Sequence, residues 1–139
     1  MKVITSLAMF FLMAFSLSAQ GITGIWETID DVSGDPKSHV EVYEKDGKFF
    51  GKVVKLLPAA VTTTCDGCPG DMNGKSLLEL DIIKDIVPYK DYYSYGTITD
   101  PVGGKQYKCN ISRVGDKLEV RGYVGFSLLG RTQVWNLVK

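Results

Sequence analysis

Cys65-Asp-Gly-Cys68 is the most reactive-looking spacing in the chain. Two cysteines three apart can close a local disulfide, cycle as a redox pair or supply half of a zinc site. In an oxidising compartment the first reading is a disulfide, Cys65–Cys68, stiffening the long loop around it. Redox motifs of this spacing sit beside a βαβ pattern, and none is present. Zinc needs two further ligands. Only Cys109 and His39 are available beyond carboxylates, and strand alternation sends them to opposite sheet faces. Cys109 reads as a buried free thiol acting as a small hydrophobe.

Other chemistry-bearing residues do not assemble into an enzyme. Gly70-Asp-Met-Asn-Gly74-Lys75-Ser76 has three residues between its glycines, where a phosphate loop needs four, and no strand-to-helix context. His39 is the single histidine, so any histidine-based triad must run through it, and Ser127 lacks nucleophile-elbow spacing. Asp30, Asp31 and Asp35 fall in a Gly/Pro turn, where short acids are ordinarily solvated. Neither a catalytic residue nor a cofactor is expected.

The aromatics and their polar neighbours suggest binding instead. Trp26, Tyr43, Phe49, Tyr107, Tyr123, Phe126 and Trp135 recur along successive alternating segments, with Arg121, Arg131 and Gln133 among the last of them. Either they fill a small barrel's core, or some line a pocket whose arginine holds an anionic head. A small apolar molecule or lipid is the expected partner under the second reading. Under the first, the chain is an envelope interaction or structural module acting through its long loop. A thiol-redox accessory role through Cys65 and Cys68 is the third reading.

The elements that would position these residues are short strands at regular intervals. Ile22–Asp30 is a first strand, and Ser38–Glu44 alternates with Val40 and Val42 on one face. Asp46-Gly47 turns the chain into Lys48–Leu56, since Asp-Gly tolerates the positive φ of tight hairpins. Residues 58–75 form the one long irregular stretch. Leu77–Val87 fits a strand or a short helix and is read as strand. Tyr95–Thr99 ends at Asp100-Pro101-Val102-Gly103-Gly104, a turn signal. Lys105–Ser112 places Tyr107, Cys109 and Ile111 inward, Lys117–Tyr123 places Leu118 and Val120 inward, and Arg131–Val138 closes the domain. About eight strands in sequential hairpins predict an all-β, antiparallel, up-and-down barrel, because closure removes exposed edges.

The N-terminus predicts export. Lys2, an apolar run through Leu17 and Ser18-Ala19 form a signal peptide over residues 1–19, cleaved before Gln20. The run is shorter than the roughly 20 residues of a bilayer span, so no transmembrane anchor is expected, and residues 20–139 are one domain in the periplasm or outside the cell. The 16 basic and 16 acidic residues are interleaved, and losing Lys2 leaves one acid in excess. That balance offers no footprint for nucleic acid.

Three segments carry a family resemblance: Ser38–Lys55, the Cys65-to-Asp71 loop, and Asp100-Pro101 through Arg121-Gly-Tyr-Val-Gly-Phe126 to Gly130-Arg-Thr-Gln-Val-Trp135. Together they resemble the bacterial secreted family named domain of unknown function 2147, itself similar to the calycins, or lipocalin-like barrels. Gly24-Ile25-Trp26 is similar to the calycin G-x-W signature. The resemblance implies that a basic residue from a late strand covers this tryptophan, with Arg131 matching best by position and Arg121 next.

Overall fold

A computed structural model describes residues 21–125 and 130–139. Eight antiparallel strands follow one another as a meander: β1 (Gly24–Ile29), β2 (Pro36–Lys45), β3 (Lys48–Leu56), β4 (Asp81–Tyr89), β5 (Tyr92–Thr99), β6 (Gln106–Val114), β7 (Lys117–Tyr123) and β8 (Gly130–Leu137). Each pairs with its neighbours in sequence, and β8 returns to β1, closing the barrel. The segment from Leu77 divides differently from expectation: Leu77–Leu80 belongs to a turn, and the strand begins at Asp81. β5 starts at Tyr92, three residues before the expected Tyr95.

The two ends of the barrel are built differently. At one end, two-residue turns at Asp46-Gly47, Lys90-Asp91 and Gly115-Asp116 join β2 to β3, β4 to β5 and β6 to β7. Asp46 and Gly47 both have positive φ, 54° and 78°, as the expected hairpin turn requires. At the other end the connections are longer. They span residues 30–35, 57–80, 100–105 and 124–129; the last includes Phe126 and Ser127, which lie outside the described residues.

Alternation along the strands fixes what faces inward. On β2, Ser38, Val40 and Val42 are buried, while His39, Glu41 and Tyr43 face out. On β6, Cys109 and Ile111 are buried, and on β7 Leu118 and Val120. The pattern slips in β4 and β5, where Asp85 and Tyr95 take positive φ of 59° and 66°. Pairing shifts register between Phe49 and Gly51 against β4, and between Tyr93 and Gly96 against β6. Extra residues of this kind bend a strand and increase its twist, which helps an eight-stranded sheet to close. The slip also buries both Ile82 and Ile83, and so hides the two-residue period from a reading of the sequence.

Closure is uneven. The β7–β8 ladder runs from Lys117–Asn136 to Tyr123–Gly130. The β1–β8 ladder consists of Trp26–Leu137 and Glu27–Asn136, extended by the Val138 amide donating to the Ile25 carbonyl at 2.9 Å. Towards the long-loop end, β1 and β8 continue without ladder pairs.

Candidate functional site: a barrel packed at one end and hollow at the other

The turn end of the interior is filled by side chains. Trp26, Val42, Phe49, Ile83, Ile86, Ile111 and Leu118 belong to one buried cluster. The Trp26 indole N–H donates to the Ile22 carbonyl at 2.9 Å. The guanidinium of Arg113, on β6, lies 5.2 Å from the Trp26 ring centre. It donates from Nε to the Gly115 carbonyl and from Nη1 to the Gly21 carbonyl, both at 2.8 Å. The arginine over the tryptophan is therefore Arg113, and neither Arg131 nor Arg121. The two hydrogen bonds hold the cation over the ring face, where the ring's quadrupole attracts positive charge.

The loop end is hollow. A cavity of about 560 Å3 opens there, with Val53, Ile82, Ile98, Val120 and Trp135 among its walls. That size falls within the roughly 300–1,000 Å3 usual for small-molecule sites. Its deeper polar groups are already engaged. The Thr28 and Ser38 hydroxyls are 2.6 Å apart. The Thr99 hydroxyl accepts from Gln106 at 3.3 Å and approaches the Met72 sulfur at 3.9 Å. Among the described residues no buried side-chain nitrogen or oxygen lacks a hydrogen-bond partner. An occupant of the inner chamber therefore meets satisfied polar groups and apolar surface.

The mouth is charged. Lys37, Lys105 and Arg131 stand at it, with Asp100. The Lys105 ammonium lies 5.3 Å from the Tyr107 ring centre, over a wall of the cavity. Arg131 Nη2 is 3.0 Å from Asp31 Oδ2, and the Gln133 amide donates to the same oxygen at 2.9 Å. The Trp135 indole N–H donates to Gln133 Oε1 at 3.0 Å. The chain of contacts thus runs from the cavity wall to the rim.

Of the residues singled out from the sequence, Tyr107, Arg131, Gln133 and Trp135 come together around this cavity. Trp26 is fully buried at the packed end. Arg121 and Tyr123 alternate with inward Leu118, Val120 and Gly122 and so face out, Arg121 donating to the Thr132 hydroxyl at 3.1 Å. Tyr43 is also on the outer face, stacked on Phe50 at 5.7 Å between centroids, with its hydroxyl donating to Asp81 at 2.7 Å. Burial, then this carboxylate, push the Tyr43 phenol up to about 12. Phe126 lies outside the described residues. Sequence reasoning passed over Thr28, Ser38, Val53 and Ile98 as cavity walls; Val40 and Val42 had already marked the parity that turns Ser38 inward.

The cysteine loop packs against the β5–β6 connection, whose residues Asp100–Val102 and Lys105 line the mouth. Cys65 and Cys68 are joined as a disulfide, buried together with Met72 against Leu80. Thiol exchange needs access to a sulfur, and neither is exposed. Gly67 in this loop meets Gly104 of the β5–β6 connection so closely that a Cβ on Gly104 would lie 2.2 Å from the Gly67 carbonyl. Burial alone pushes the Cys109 thiol up to about 12, which keeps it protonated and unreactive. Among the described residues, no three His, Cys, Asp or Glu side chains gather as a metal site, and no helix is long and apolar enough to cross a membrane.

A closed eight-stranded meander, plugged at one end beneath a G-x-W tryptophan and hollow at the other, defines a lipocalin-like barrel. The family model described as uncharacterized protein conserved in bacteria, DUF2147, matches residues 24–136, and the chain belongs to that family. Among solved structures it is similar to protein HP1028 from the human pathogen Helicobacter pylori, described as belonging to the lipocalin family. The TM-score is 0.74 at 20% identity, covering 86% of this chain and 84% of that one. At such identity the likeness shows the fold. No match was found among curated proteins.

Proposed function

We propose that the protein is an exported, non-catalytic carrier of a small, mostly apolar molecule of acyl type with an anionic head. The tail would occupy the hollow half of the barrel and the head would face the rim. The observation that carries this reading is the division of the interior: a chamber of about 560 Å3 above a floor of buried side chains such as Trp26, Val42, Phe49 and Leu118, open at the charged end. A barrel whose function was only structural gains nothing from leaving that volume unfilled by side chains, because its apolar walls then face water and forgo burial. Export is supported by the basic and apolar pattern of residues 1–19 and by the disulfide, a bond that persists in oxidising compartments.

Titration with the neutral fluorophore N-phenyl-1-naphthylamine tests the binding reading. A saturable rise in its emission, with quenching of Trp135, is the expected result. Native mass spectrometry of protein purified from its own envelope should show added mass that organic extraction removes. No fluorophore binding together with no extractable ligand would refute the carrier reading. Cell fractionation followed by N-terminal sequencing should find the mature chain outside the cytoplasm, starting at Gln20.

A further inference from the structure

Asp31 occupies a position that its own turn does not need. The β1–β2 turn is held by Asp30, whose Oδ1 accepts from the Val32 amide at 3.0 Å and the Ser33 amide at 2.8 Å. The Asp30 amide and carbonyl add bonds to Asp35 and Gly34. The neighbouring Asp31 instead reaches across to β8, where one carboxylate oxygen takes both the Arg131 guanidinium and the Gln133 amide. It does so beyond the last β1–β8 ladder pair, Glu27–Asn136. The side chain spans the part of the barrel wall that the backbone leaves open.

Arg131 and Gln133 share a face of β8 with Trp135, and all three line the cavity. A guanidinium and a primary amide converging on a single carboxylate oxygen make a carboxylate-binding pair. Resting on the carrier reading, we infer that Arg131 and Gln133 are the head-group subsite for a monocarboxylate amphiphile, and that Asp31 is an internal stand-in for that head. A ligand carboxylate takes the two donors from Asp31, so occupancy of the chamber releases the β1–β2 turn from β8. The stand-in keeps Arg131 compensated while the chamber is empty. A neutral amphiphile has no group with which to displace it, and occupies the chamber with the Asp31 contact left in place.

Dodecanoate and dodecanol, equal in tail length, separate the head from the chamber. Their displacement of N-phenyl-1-naphthylamine is to be measured on the full mature chain, on Asp31→Ala, on Arg131→Gln and on the double variant. Removing the competing carboxylate should raise dodecanoate affinity up to about fivefold, the upper end for a largely exposed ion pair, with dodecanol unchanged within about twofold. Arg131→Gln should lower dodecanoate binding alone, and the gain from Asp31→Ala should vanish in the double variant. Equal responses of acid and alcohol, or a gain that persists without Arg131, would overturn the subsite while leaving the carrier intact. If the fluorophore fails to bind the unaltered protein, the carrier reading and this inference fall together.

Discussion

Val120 and Val42 are both 2% exposed inward valines, yet they face different halves of the barrel, so enlarging each should have opposite consequences. Val42 belongs to the packed cluster with Trp26 and Phe49. Replacing it with Phe must force neighbours off their rotamers, at a cost of about 1–3 kcal/mol. Val120 belongs to the same buried cluster but also lines the cavity, which Val42 does not. A phenyl ring there has empty space to enter and removes more apolar surface from water, worth about 1 kcal/mol at ~25 cal/mol per Å2. For a barrel of this size 1 kcal/mol moves the melting temperature by about 4 °C. Differential scanning fluorimetry should therefore place Val42→Phe at least about 4 °C below the unaltered protein, and Val120→Phe level with it or above. The stabilised variant should bind N-phenyl-1-naphthylamine at least about fivefold more weakly, since the ring takes ligand volume. Comparable destabilisation by both substitutions would mean that the loop end has no room for a ring, and the half-filled interior would have to be abandoned.

Three further outcomes follow from other parts of the molecule. Replacing both Cys65 and Cys68 with Ser removes a very short covalent loop, for which chain entropy gives about 2 kcal/mol; chemical denaturation should show that loss, with fluorophore affinity held. Tyr43 has a folded-state pKa raised to about 12 from 10, so its contribution is complete below pH 10 and disappears as pH rises through 12. Tyr43→Phe should accordingly flatten the alkaline decline in stability between those values. Arg113→Ala removes the cation over Trp26 and two donors to carbonyls, and denaturant titration should register a loss of about 1–2 kcal/mol with chamber binding unaffected.

The strand meander was legible wherever the two-residue period ran unbroken, as in β2, β3, β6 and β7. It blurred at Asp81–Tyr89, where the positive-φ residue Asp85 and its partner slip at Tyr95 shift the parity. The same period contained more about the site than was taken from it. Arg113 follows Tyr107, Cys109 and Ile111 at steps of two, which carries it to the interior side at the turn end. Arg121 and Tyr123 stand at odd steps from inward Leu118 and Val120 and so had to face out. Tyr43 stands in the same relation to Val42. What no alternation conveys is how far along the axis the packing stops. That limit depends on three-dimensional neighbours such as Ile83, which sits against Gly51 where no side chain could fit.

The short β1–β8 ladder bears on how the molecule is made. Every other strand pair joins neighbours in sequence and can form as a local hairpin or its extension, whereas β1 pairs with a strand synthesised about a hundred residues later. Contacts of such separation are slow to form because loop closure precedes any compensating interaction. While the chain folds, β1 therefore has one edge satisfied by β2 and the other exposed until β8 docks. The chamber comes into being only with that final joining. A nascent or slowly folding chain is an open, edge-exposed sheet, and its greatest exposure to mispairing falls in the interval before the seam closes.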